Sequence, residues 1–82
     1  MKFLLYSRHG CRLCEEMLEQ LASLPDATGI PVDVVDVDGD ANLRARFGHK
    51  IPVLFLDAEL ICHGRLDPEE VHKALAWGRR PV

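Results

Sequence analysis

Apolar positions along this chain follow two rhythms, and the switches between them predict its elements. Phe3-Leu4-Leu5-Tyr6 is an unbroken apolar run. Lys2–Ser7 therefore reads as a strand buried on both faces, central in a sheet with helices on either side. After a turn at Arg8-His9-Gly10, Met17, Leu18, Leu21 and Leu24 recur at helical spacing, with Glu15, Glu16, Glu19 and Gln20 around them. That spacing predicts a helix from about Cys11 to Leu24, which Pro25 ends because its ring cannot continue the turn.

Val32–Val37 is rich in β-branched residues and predicts a second strand. A short helix is expected next, opened by Asp38 or Asp40 as cap and closed by Gly48, with Leu43 and Phe47 facing the core. Pro52–Leu56 and Leu60–His63 read as two further strands, joined by the tight connection Asp57-Ala58-Glu59. Asp67-Pro68-Glu69-Glu70 marks a helix start: Asp67 caps, Pro68 takes the first helical position and Glu70 completes a capping box. This last helix would turn Val71, Ala74, Leu75 and Trp77 inward and end near Gly78, where Arg79 and Arg80 complement its negative end. The order is β-α-β-α-β-β-α. Helical crossovers should leave the first three strands parallel or neighbouring, and the last two should form a hairpin. The expected fold is α/β, a four-stranded mixed sheet with three helices spread over both faces.

Composition narrows the function classes. The chain has 82 residues, enough for a single domain over residues 1–82, and 48% of them are hydrophobic, enough for one modest core. A net charge of −3 gives no basic footprint for nucleic acid. The opening apolar run is too short for a signal-peptide core or a membrane span, so a cytoplasmic location without membrane contact is expected. The cysteines are only Cys11, Cys14 and Cys62. An odd, small set is no disulfide framework, and in a reducing compartment a Cys-x-x-Cys pair points to redox chemistry or metal binding.

Cys11-Arg12-Leu13-Cys14 stands where a strand turns into a helix, and that position favours a thiolate on Cys11. A helix start offers unpaired N–H groups and partial positive charge, and Arg12 adds a full one. The spacing of three returns Cys14 to the same helical face, within bonding reach of Cys11. A metal site is the rival reading, with Cys11, Cys14, Cys62 and His9 or His63 around zinc or an iron–sulfur cluster. No second Cys-x-x-Cys supports it, and Cys62 reads as a small apolar filler of its strand. His9 is a candidate to tune the thiolate, whereas His49, His63 and His72 read as surface residues. Asp36-Val37-Asp38-Gly39-Asp40 has the look of a calcium loop. Counting from Asp36, however, puts Ala41 where such a loop needs Gly and Phe47 where it needs Glu, so it reads as a capped, solvated turn. Pro52, opening an apolar strand, has no N–H for a ladder, and an Ile-Pro bond takes the cis form at small cost.

The strand, then Cys11-Arg12-Leu13-Cys14 on a helix start, then Ile51-Pro52-Val53 opening a strand resembles the thioredoxin superfamily over nearly the whole chain. Its size is closest to the small glutaredoxin-like members. The resemblance implies that Cys11 is the attacking thiolate, Cys14 the resolving thiol and Pro52 a cis-proline beside them. The stretch Phe47–Leu54 and the segment Gly64-Arg65-Leu66-Asp67 are similar to thioredoxin, while His63-Gly64 stands where glutaredoxins carry a Gly-Gly pair. Arg12-Leu13 is neither the Gly-Pro of thioredoxin nor the Pro-Tyr of glutaredoxin, and Gly10 stands where thioredoxins place Trp. The likeness thus implies a monomeric thiol–disulfide oxidoreductase, with Arg12, Ile51, Pro52, Gly64 and Asp67 contacting substrate. It would need no cofactor beyond the Cys11–Cys14 disulfide. Protein or low-molecular-weight disulfides are the expected substrates, with glutathione a candidate co-substrate and glutathione or a thioredoxin reductase the candidate electron donors.

Overall fold

In the computed structural model, which describes residues 1–78, the opening apolar run resolves into two unequal faces. Along β1 (Phe3–Ser7), Phe3, Leu5 and Ser7 are buried while Leu4 and Tyr6 are half-buried. The first set meets α1 (Arg12–Ser23) and α3 (Pro68–Gly78), whose Met17, Leu21, Val71 and Leu75 close the main core with Leu54 and Leu56. Each such side chain contributes about 1.5–3 kcal/mol by leaving water. Tyr6, on the opposite face, stacks on Phe47 of α2 (Ala41–Phe47) with ring centroids 4.5 Å apart, and Phe55 meets both rings edge-on. Leu43 and Phe47 thus stay half-buried in a thinner second layer rather than entering the core.

The sheet runs β2-β1-β3-β4, with β2 (Val32–Asp36), β3 (Val53–Leu56) and β4 (Glu59–His63), so β1 is central as its apolar run requires. β1 pairs with β2 in parallel and with β3 antiparallel. β3 is therefore a neighbour of β1, as expected, but not parallel to it. The cause is length. Seven residues of α2 advance about 10 Å, less than a five-residue strand spans, so the helix crosses the sheet end without carrying the chain back along it. β3 accordingly starts at the sheet end where β1 and β2 finish. The β3–β4 hairpin closes through Asp57-Ala58, with Asp57 at φ +53° and its carboxylate accepting from the Lys2 N–H at 3.0 Å. Its ladder shifts register between Leu54 and Phe55.

Several predicted boundaries move. Val37 leaves the second strand to begin a short 3-10 turn, fully buried. Pro25–Ala27 forms another 3-10 turn, unforeseen because nothing periodic marks it. Asp40 rather than Asp38 caps α2, accepting from Asn42 and Leu43 N–H. Trp77 is 65% exposed instead of turned inward, because two residues past buried Leu75 it falls about 200° around the helix from that face. Glu70 lies against Lys73 at 3.6 Å. Arg79 and Arg80 lie outside the described residues. Lys2 pairs with Asp33 across β1 and β2 at 2.7 Å. Among the described residues no helix is long and apolar enough to cross a membrane.

Candidate active site

The site is assembled where β1 ends. Beyond Ser7 the chain turns through Gly10, whose φ of +74° suits glycine, and the Cys11 N–H donates to the Arg8 carbonyl at 3.2 Å. Cys11, in extended conformation, is the N-cap of α1: its Sγ accepts the Cys14 N–H at 3.2 Å and its carbonyl accepts from Glu15 N–H at 3.1 Å. Cys11 and Cys14 form a disulfide with Cα atoms 5.2 Å apart. Their surroundings differ. Cys11 is half-buried, whereas Cys14 is 2% exposed and starts the stripe that continues into Met17 and Leu21.

Pro52 is buried, and the Ile51–Pro52 bond is cis. Because Tyr6 pairs with Val53, Pro52 falls level with Ser7, at the end of β1 from which the chain turns to Cys11. The Pro52 carbonyl accepts the Gly64 N–H at 2.8 Å, which ties the end of β4 to this edge of the site. Gly64 itself has φ +77°, and the segment Gly64-Arg65-Leu66 forms one wall of a cavity of about 310 Å³ whose other wall is Leu13, Glu16, Met17 and Gln20. Of the residues expected to contact substrate, Ile51, Pro52 and Gly64 are thus joined by pairing and hydrogen bonding at one sheet end. Asp67 is engaged otherwise: its carboxylate caps α3 by accepting from Glu69 and Glu70 N–H at 3.1 and 3.2 Å. Arg12 is also drawn aside. Its side chain is 90% exposed, with Nε 3.5 Å from Glu16 Oε1, so part of its charge is compensated one turn along the helix.

Cys62 pairs with Leu54 and packs against the main core. Burial pushes its thiol above the ordinary value, and a hydrogen bond from the Asp67 backbone opposes that only in part. Among the described residues no three His, Cys, Asp or Glu side chains are grouped to hold a metal ion. Cys62 is therefore not gathered with Cys11, Cys14, His9 or His63 into the ligand set considered from sequence.

One structural residue escaped the sequence reading. Arg8 binds Asp38 through Nε at 2.7 Å and Nη2 at 3.1 Å, and its Nη1 lies 3.5 Å from the Gly48 carbonyl. The pair holds Asp38 below the usual carboxylate range and fastens the loop before Cys11 to the turn that precedes α2, while the Gly48 contact reaches the end of that helix. An arginine in a turn gives no sign of a partner thirty residues away.

The comparisons agree with this geometry. Residues 2–76 match the model of the glutaredoxin-like domain family (DUF836). An uncharacterized protein of Mycobacterium tuberculosis is 34% identical over 77 residues, spanning 88% of this chain and 79% of that protein. The solution structure of protein Ne2328 from Nitrosomonas europaea is similar at a TM-score of 0.79 and 32% identity, over 89% of this chain and 88% of that one. Thioredoxin 1 of Thermosipho africanus aligns at 0.61 and 18% identity, over 98% of this chain and all of that one. Glutaredoxin of Brucella melitensis aligns at 0.60 and 17%, over 96% and 83%. These last two establish the thioredoxin-like fold.

Proposed function

The chain belongs to the glutaredoxin-like domain family, and from that membership we propose that it is a dithiol–disulfide oxidoreductase working through Cys11 and Cys14. The observation that carries the reading is the inequality of the two bonded sulfurs: Cys11 half-exposed at a helix start, Cys14 buried behind it. In the reduced protein the Cys14 N–H and the helix dipole stabilise negative charge on Cys11 Sγ. The Cys11 thiolate attacks one sulfur of a substrate disulfide, forming a mixed disulfide and expelling the other sulfur as a thiolate, which takes up a proton. Cys14, deprotonated, then attacks Cys11 Sγ and expels the second substrate sulfur. Two electrons have passed to the substrate, and the Cys11–Cys14 disulfide remains for an external dithiol, or two molecules of a monothiol such as glutathione, to reduce. Pro52 and Ile51 form the surface on which the substrate chain lies, with Gly64 beside them and Arg12 and Asp67 at its margin. A cytoplasmic setting, whose thiol pool would keep the pair reduced, suits that role.

The test is turnover of a small mixed disulfide by wild type, Cys11→Ser and Cys14→Ser, with intact-mass analysis. Cys14→Ser should accumulate a mixed disulfide on Cys11, and Cys11→Ser should trap nothing and exchange nothing. Wild-type rates from both variants would end the proposal.

A further inference from the structure

Charge is unevenly placed around this site. The chain is acidic in sum, yet residues 41–56 contain Arg44, Arg46, His49 and Lys50 and neither Asp nor Glu. These residues form α2 and the turn leading to cis Pro52, on the sheet face carrying Tyr6. On the other face, α1 presents Glu15, Glu16 and Glu19. Asp36, Asp38 and Asp40 precede α2 on the basic side, where Asp38 is bound by Arg8 and Asp40 caps the helix, and Arg44 is left outward-facing.

The basic side also has a recess. A cavity of about 460 Å³ is lined by Arg8, Ala41, Arg44, Ala45, Gly48 and His49. Its lining combines the small residues Ala41, Ala45 and Gly48 with Arg44, His49 and the Asp38-paired Arg8. Gly48 keeps it open to the backbone: a Cβ there would lie 2.4 Å from the Arg44 carbonyl and 3.3 Å from Arg8 Nη2. Asp38, the carboxylate on which Arg44 acts through space, is already bound by two nitrogens of Arg8. Arg44 is exposed, so its positive charge at the rim faces outward, with exposed His49 beside it. Arg8 joins this recess to the redox centre, since its carbonyl accepts the Cys11 N–H.

We infer that this recess seats an acidic side chain of a polypeptide substrate whose disulfide is presented to Cys11. The assignment rests on the oxidoreductase reading and names its substrate class. An acidic segment would be drawn to the α2 side and repelled from the carboxylates of α1, which fixes the direction in which the substrate chain crosses the site. The contacts are solvent-exposed, so the preference must weaken as salt shortens the screening length from about 10 Å at 0.1 M to about 3 Å at 1 M.

The experiment is single turnover by prereduced protein, which supplies both electrons itself, against three peptides with one common disulfide flanked by Glu, Gln or Lys. At low salt the Glu peptide should react about fivefold faster than the Gln peptide and the Lys peptide more slowly, with the differences shrinking below about twofold at 1 M salt. Arg44→Gln should cut the Glu advantage at least by half, and Arg44→Glu should invert it; the Gln peptide in the same samples reports folding and chemistry. Equal rates on all three peptides, or an advantage untouched in both variants, would overturn the acidic-substrate assignment alone. Oxidised glutathione outrunning the Glu peptide with the same dependence on Arg44 would give the recess to a small-molecule carboxylate and also overturn it. No reaction with any disulfide would remove the oxidoreductase reading, and this assignment with it.

Discussion

The Cys14 N–H donates to Cys11 Sγ at 3.2 Å, so the sulfur that reaches solvent is also the one that caps its own helix. After reduction, iodoacetamide at neutral pH should therefore label Cys11 first. The rate should exceed that of Cys14 on the order of tenfold, through the larger thiolate fraction and the better access. Peptide mass mapping at short times reads this directly. Earlier labelling of Cys14 or Cys62 would contradict the assignment of Cys11 as the attacking thiol.

Arg12 stands in sequence where it could stabilise the Cys11 thiolate, but its guanidinium is exposed and shared with Glu16. Arg12→Ala should slow Cys11 alkylation by less than about threefold, as befits a solvated charge. Glu16→Gln, which frees Arg12, should speed it slightly. A tenfold loss in Arg12→Ala would mean that the arginine turns to Cys11 once the disulfide opens.

Cys62 should be dispensable for exchange, because it packs against the core and takes no part in the Cys11–Cys14 disulfide. Cys62→Ala is expected to cost about 1 kcal/mol, measured by urea denaturation, with turnover retained. Its raised thiol value also carries a pH dependence. The folded state holds the proton more tightly than the unfolded state, so stability falls as pH rises above the unfolded thiol value of about 8.5. Reduced Cys62→Ala should lose that part of the alkaline decline.

Asp38 has the opposite sign. Its carboxylate is held below the ordinary value, chiefly by hydrogen bonding to Arg8. The stabilisation is present above the unfolded value of about 3.9 and is lost as pH falls through the lower folded one. Asp38→Asn should melt slightly below wild type at pH 7, as befits a solvent-exposed pair, and the gap should close in strong acid. Thermal melts from pH 2 to 7 would show it, and a constant gap would assign the loss to packing rather than charge.

Much of the architecture was legible because its signals are local. The unbroken run at Phe3–Tyr6 marks a central strand, Asp67-Pro68 a helix start, and Cys11-Arg12-Leu13-Cys14 the disulfide-bonded pair. What escaped was set by distant parts of the chain. The direction of β3 depends on how far α2 carries the backbone, and the half-burial of Phe47 depends on meeting Tyr6 and Phe55. Gly48 reads as a helix stop, and it does cap α2, but with right-handed φ −54°. Its absent side chain matters for the close approach of Arg44 and Arg8, which no local pattern encodes. The Arg8–Asp38 pair spans thirty residues and was invisible for the same reason.

β2 lies at one margin of the sheet, with no strand on its outer side among the described residues and Val34 51% exposed. Such a border invites a second copy to add its own strand, the first step toward ordered aggregation. Asp33 and Asp36 bracket Val34 and Val35, so two copies meeting antiparallel about that pair would set Asp33 of one against Asp36 of the other. Lys2 offsets the charge of Asp33 only, and the remaining repulsion discourages the pairing. The acids that bound this strand's apolar stretch thus act as gatekeepers, keeping an exposed valine edge from becoming a template for self-association.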